Sequence, residues 1–243
     1  QTFDLPQFAR VSGTQAQTQI QSTVRSEYNA LVLQFNRRLT DGLQVQSSYT
    51  LAKSTDTGAN SSVFPFANAP LNAFDRSFDE GPSNNDVRHK FVVSAVYAPT
   101  LYKGGTNSIY NYLLNGFSIA PIYTYYSGRP FSGSVNGGSL NGTNGDNRLP
   151  ISDRNAFRLP SISNLDLRLS KRFRFTERYR LELLAEGFNV ANRTHVFIQE
   201  NLLYTRPTNA TTLTFNPTFG RSTENSSSNY RERQIQFAAR FQF

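Results

Sequence analysis

Residues 234–243 read Gln-Ile-Gln-Phe-Ala-Ala-Arg-Phe-Gln-Phe, and their alternation decides the fold class. Ile235, Phe237, Ala239, Phe241 and Phe243 fall on one side of an extended chain. Gln234, Gln236, Ala238, Arg240 and Gln242 fall on the other. Successive side chains of a strand point to opposite faces, so this segment is a strand with one apolar and one polar face.

The same period recurs upstream. Leu165, Leu167 and Leu169 alternate with Asn164, Asp166, Arg168 and Ser170. Tyr179, Leu181, Leu183 and Ala185 alternate with Arg180, Glu182, Leu184 and Glu186. Leu31, Leu33, Phe35 and Leu39 share a side, as do Leu43, Val45, Tyr49 and Leu51, and Phe91, Val93, Ala95 and Tyr97. Strands are expected at about 28–39, 43–53, 88–98, 114–126, 162–170, 179–189 and 231–243, with an eighth, weaker pattern at 14–24. Pro121 removes a ladder donor inside one of them and predicts a bulge.

The connections narrow the fold further. Thr40-Asp41-Gly42 reads as a three-residue hairpin loop, with Gly at the left-handed position, and Lys171–Arg178 is another short link. Pro99–Leu113 is moderate, whereas 54–85, 127–161 and 192–230 are long and rich in Asn, Gly, Ser and Pro. Short and long links alternate, as they do in outer-membrane barrels, whose periplasmic turns are short and extracellular loops long. Within the alternating runs spelled out above, Arg37 is the one charge in the apolar register, close to a short turn where its stem can snorkel. The fold class predicted is an all-β, antiparallel transmembrane barrel located in the bacterial outer membrane.

Composition agrees and excludes other classes. The chain has 243 residues, no Cys, Met or Trp, and many Phe (20) and Tyr (12) despite a hydrophilic average. Thiol chemistry and Cys-based metal sites are excluded. No apolar run approaches the roughly 20 residues of a spanning helix. The net charge of +8 invites a nucleic-acid reading, but the basic residues are scattered apart from Lys171, Arg172 and Arg174, so no nucleic-acid partner is expected. Starting at Gln1 without an initiator Met or signal region, the chain reads as a piece of something longer.

Several stretches resemble the barrel end of TonB-dependent outer-membrane transporters, particularly the Oar-like group. They are Tyr49-Thr-Leu-Ala-Lys53, Asp86-Val-Arg-His-Lys-Phe91, Tyr126-Ser-Gly-Arg-Pro-Phe131, Asn164-Leu-Asp-Leu-Arg-Leu-Ser-Lys171, Arg180-Leu-Glu-Leu-Leu-Ala-Glu-Gly-Phe-Asn189 and the terminal 233–243. The resemblance runs from about Tyr28 to the end. It implies that residues 1–243 are the C-terminal portion, the last seven or eight strands, of a barrel of about 22 strands. By the same resemblance a plug domain and a TonB box would lie upstream, with energy supplied by the TonB complex and an unidentified cargo moved across the membrane.

The candidate residues follow from this frame. Ile235, Phe237, Phe241 and Phe243 form the expected signal for the barrel-insertion machinery, against the plainer reading of a hydrophobic edge strand. Asp166, Arg168, Arg180, Glu182, Glu186 and Arg240 are expected to face the lumen, where cross-strand pairing competes with a role in a substrate path. Placing Leu169 opposite Leu181 predicts an Arg168–Glu182 ion pair.

Asp86 and His89 could form an acid–base pair, but no partnered nucleophile marks a hydrolase. His89 and His195 without Cys do not make a transition-metal site. The stretch 141–147 is oxygen-rich yet lacks the spaced carboxylates of a calcium loop. Tyr123, Tyr125, Tyr126 and Phe131 read as an interfacial girdle rather than a ligand grip. The Asn-x-Ser/Thr sequons at Asn60, Asn141, Asn192, Asn209 and Asn225 carry no expected role. No catalytic residue, metal ligand or cofactor is nominated, and outer-membrane lipid is the expected surroundings. Two alternatives stand beside the transporter reading: a complete eight-stranded barrel with an adhesin or structural role, and a soluble β-sandwich binding module.

Overall fold

The computed structural model describes residues 23–58, 70–72, 75–104, 109–136, 148–149, 151–176, 178–206, 212–224 and 231–243. Within them the alternating segments form seven long strands: β1 (Ser26–Thr40), β2 (Leu43–Asp56), β3 (His89–Tyr97), β4 (Phe117–Tyr126), β5 (Ile162–Arg174), β6 (Arg180–Phe188) and β7 (Gln234–Gln242). They make one antiparallel sheet in chain order, and the two-residue strand Gly81–Pro82 adds to the end of β2. Among the described residues β1 and β7 do not pair, so the sheet has two open edges. The strand expected at 14–24 lies, but for its last two residues, outside the described residues.

Register carries the apolar side across the whole sheet. Leu33 stands opposite Tyr49, Tyr49 opposite Phe91, and Phe91 opposite Tyr125. Farther along, Ile119 faces Leu169, Leu169 faces Ala185, and Ala185 faces Phe237. Odd-numbered strand residues thus share one face and even-numbered ones the other.

The apolar face is uncovered. Leu33 is 55% exposed, Phe35 58% and Phe237 81%, whereas Ala52, Leu71, Val135 and Leu184 are the buried apolar residues among those described. A soluble sandwich would press such a face against a second layer. Here Leu and Phe point outward, and buried polar side chains outnumber buried apolar ones.

Details depart from the expectations for identifiable reasons. The first hairpin turns on two residues rather than three. Asp41 and Gly42 both have positive φ, 51° and 76°, which is the two-residue type I′ turn that suits twisted strands. A Cβ on Gly42 would overlap the Ala98 carbonyl oxygen. β5 continues to Arg174, so the link to β6 is shorter than Lys171–Arg178 and the register shifts by four residues. Leu169 stands opposite Ala185, not Leu181, and Arg168 opposite Glu186, not Glu182.

Pro121 causes no bulge. The β3–β4 pairing is Ser94↔Ile122 on one side of it and Tyr97↔Ile119 on the other, in an unchanged register, and Pro121 itself pairs with Leu167 of β5. The irregularity falls instead between Arg37 and Thr40, beside the first turn. β4 begins at Phe117 rather than 114, because Ile109–Leu114 forms a short helix, α1, before it. The observed strands are longer than expected, so the apolar register also carries Glu27 and Lys53 near the far ends of β1 and β2 and Lys171 in β5, besides Arg37.

Candidate functional site

The even-numbered face of β5, β6 and β7 holds a ladder of polar pairs. Arg168 Nε lies 3.5 Å from Glu186 Oε1, and Gln236 Nε2 donates to Glu186 Oε2 at 2.5 Å. Arg172 Nη2 reaches Glu182 at 3.3 Å, and Arg240 is the cross-strand neighbour of Glu182 on the other side. Asp166 accepts from Asn164 Nδ2 at 2.8 Å and from the Asn189 backbone N–H at 2.9 Å. Arg180 lies opposite Arg174 and Gln242, with no carboxylate across from it. The expected charges therefore share one face, but of the six only Arg168 and Glu186 pair with each other, and the predicted Arg168–Glu182 pair gives way to Arg172–Glu182.

A second cluster, which sequence reasoning missed, lies at the end of the sheet carrying the long connections. Three aspartates of the 57–88 connection and its flank meet three arginines of the 127–161 connection. Arg154 pairs with Asp56, both buried; Arg148 lies 3.2 Å from Asp79, both buried; Arg158 lies 2.5 Å from buried Asp86. The arginines also tie backbone together. Arg148 Nη2 donates to the Phe78 carbonyl at 2.5 Å, and Arg154 Nη2 to that of Gly58 at 2.9 Å. Buried Asn155 donates through Nδ2 to the Pro82 carbonyl at 2.6 Å and to Asn84 Oδ1 at 2.8 Å. Buried charges persist only when paired and hydrogen-bonded, so these contacts fix the two connections to each other. The partners stand 69 to 98 residues apart, and nothing in local spacing joins them.

A turn shapes this cluster. Asp75 caps the 3₁₀ turn Arg76–Asp79, accepting from the Ser77 backbone N–H at 2.9 Å. Hydrogen bonding by Ser77, its side chain first, holds the Asp75 carboxyl below its ordinary value. Asp79 at the end of that turn also accepts the Leu71 backbone N–H.

The third long connection joins through aromatic rings. Phe131, Phe157 and Phe219 form a triangle with centroids 4.9–6.0 Å apart. Small strands back it: Pro130–Phe131 pairs with Phe157–Arg158, and Ser134–Asn136 runs parallel to Leu202–Thr205. Gly128 sits where this network is tightest, since a Cβ there would overlap the Leu159 carbonyl oxygen.

The remaining candidates separate. Asp86 binds Arg158 and the Ser54 backbone N–H (2.8 Å), whereas His89 Nδ1 meets Tyr49 Oη at 2.9 Å, so the Asp86–His89 pair does not form. His195 is buried with Nε2 3.1 Å from the Ser163 carbonyl oxygen. Of the supposed girdle, Tyr123 and Tyr125 lie on the odd face, Tyr126 lies on the even face near Lys90, and Phe131 belongs to the ring triangle. Ile235, Phe237, Phe241 and Phe243 are all exposed on the odd face at the sheet edge, with Phe241 stacked 6.0 Å from Tyr179. Among the described residues no three His, Cys, Asp or Glu side chains are grouped to hold a metal. Residues 141–147 lie outside the described residues.

Comparison with known families returns one model, described as an outer membrane beta barrel domain, matched over residues 2–153 and 150–236. No curated protein and no solved structure matches the chain.

Proposed function

Because the chain belongs to the outer-membrane β-barrel family and resides in the bacterial outer membrane, we propose that it is one wall of a wide transporter barrel of the TonB-dependent kind. In this reading the apolar face contacts lipid, the polar face lines the lumen, and the latched long connections form the extracellular platform that meets the cargo. Strands of 9 to 15 residues are long enough for the roughly 9–11 residues a tilted spanning strand requires.

The observation that supports the proposal is that, among the described residues, both edges of the sheet of seven long strands are unpaired. An unpaired backbone edge is not tolerated in hydrocarbon, where each unsatisfied group costs several kcal/mol. Both β1 and β7 therefore call for neighbours. A wide lumen also suits the even face, where Arg168 and Arg172 side chains remain about half exposed (47% and 52%). In an eight-stranded barrel the interior is just wide enough for side chains to fill it. The chain's own part is binding and passage, with no reaction catalysed. The exposed aromatic end of β7 would be handed to the insertion machinery.

The test uses the full-length protein purified from outer membranes. It is expected to capture the periplasmic domain of a TonB-type energy-transducing protein, and the capture should require the segment upstream of the barrel. A full-length protein that closes as eight strands and captures none would replace this reading with the small-barrel one.

A further inference from the structure

The connection between β3 and β4, residues 98–116, lies at the same end of the sheet as the two tight turns, which is the periplasmic end of an outer-membrane barrel. It carries α1, and its exposed positions are Ile109, Tyr110, Leu113 and Leu114. Positions spaced one, four and five residues apart lie on one helical face, and here Ile109, Leu113 and Leu114 make that face largely apolar and exposed, with Tyr110 beside them against the Tyr102 ring. Leu101 in the same connection is 60% exposed.

The connection is held rather than loose. Asn115 accepts the Tyr102 backbone N–H at 2.9 Å, and its Nδ2 donates to the Tyr102 carbonyl at 2.7 Å and to Asn111 Oδ1 at 2.6 Å. Gly116, at φ +81°, accepts the Arg172 backbone N–H at 2.8 Å. Lys171 shows on which side of the sheet the segment lies. It belongs to the apolar register of β5, its Nζ donates to the carbonyls of Leu113 (3.0 Å) and Asn115 (2.5 Å), and it stands 3.9 Å from the Phe117 ring centroid. A segment bound by a side chain of the apolar face lies on that face. The bare side of α1 therefore continues the lipid-facing band instead of covering the lumen.

This rim is also basic. Arg37 in the apolar register, Lys103 in the connection and Arg178 in the last tight turn lie along it, and all are exposed. Asp41 and Glu182 are the described carboxylates there, and Glu182 is engaged by Arg172.

From the continuity of the apolar surface and the sign of the surrounding charge, we propose that α1 is an interfacial anchor. It seats its Ile109–Leu114 face in the periplasmic leaflet, while the basic rim binds anionic phospholipid headgroups. An apolar helix face at the headgroup–acyl boundary flanked by Lys and Arg is the physical pattern of a helix lying in a membrane surface. The inference rests on the orientation of the barrel, not on transport.

The test places the full-length protein, on a cysteine-free background, in nanodiscs holding phosphatidylethanolamine and phosphatidylglycerol. A fluorophore on Leu113→Cys, with Ile109→Cys as a second site, should be quenched by acyl-brominated lipid as strongly as one on Phe237→Cys. A label on Asp41→Cys should answer to aqueous iodide instead. Lipid retained through purification should be enriched in phosphatidylglycerol. Arg37→Gln and Arg178→Gln should each lower that enrichment by roughly fivefold, the effect of one surface charge on anionic-lipid binding. Labels at 109 and 113 that behave like the one at 41 would overturn the proposal. So would an unchanged headgroup ratio in both arginine variants, or shielding that arises only on adding a periplasmic protein.

Discussion

At the residue scale, an arginine–carboxylate pair does unlike things in two places. Arg154 and Asp56 are both buried, and each satisfies neighbouring backbone as well as the other. Asp56→Ala would leave a buried guanidinium without its counter-charge, which typically costs about 3–5 kcal/mol. The connections 57–88 and 127–161 are therefore expected to come apart locally. Protease added to intact cells should cut this variant at the outer surface well before the parent. Arg168 and Glu186 lie 3.5 Å apart with the arginine half exposed, and such pairs contribute under about 1 kcal/mol. Arg168→Ala should leave both protease resistance and unfolding in denaturant nearly unchanged.

At the element scale, period two makes a sharp contrast within single strands. Leu33 and Gln34 are adjacent at the middle of β1 yet point to opposite faces. Leu33→Arg should destabilise the barrel by about 2–4 kcal/mol in lipid vesicles, as a charge at the membrane midplane does, whereas Gln34→Arg should cost almost nothing. Equal costs would mean the faces have been assigned wrongly. The exposed ring of Phe243 gives a second prediction: Phe243→Ser should slow assembly into the membrane, measured as accumulation of unfolded protein in pulse-labelled cells, with little change in the stability of barrels already formed.

Elements were where the sequence was most legible. Alternation at 43–53, 88–98 and 179–189 corresponds to β2, β3 and β6, because each face meets one environment along its whole length. Register was less legible. Leu169 could meet Leu181 or Ala185 without moving any side chain to the other face, since a four-residue shift preserves parity. The Asp56–Arg154 and Asp79–Arg148 pairs were not legible at all, because the chain path through polar connections, rather than any periodic pattern, brings their partners together.

At the scale of the whole molecule, the distribution of burial is that of a protein turned outward. The described buried apolar residues are four, of which only Leu184 and Ala52 lie in the long strands; the buried Asp, Arg and Asn residues gather at one end. Order in the membrane-facing part comes from ladder hydrogen bonds and surrounding lipid, and order at the far end from charge pairing. Purified into water without detergent, the sheet should aggregate through its Leu and Phe side, and detergent binding measured by sedimentation should be that of a membrane protein.

On the proposed orientation, the three aspartate–arginine posts also mark where the outward connections are fixed to one another. Residues 137–147 join Asn136, held by the small parallel pairing, to Arg148, held by Asp79. Closing a longer loop between two anchored points costs about 0.6 kcal/mol for each doubling of its length. An epitope of some ten residues spliced between Asn136 and Arg148 should thus be displayed to antibody on living cells, while the barrel beneath assembles as before.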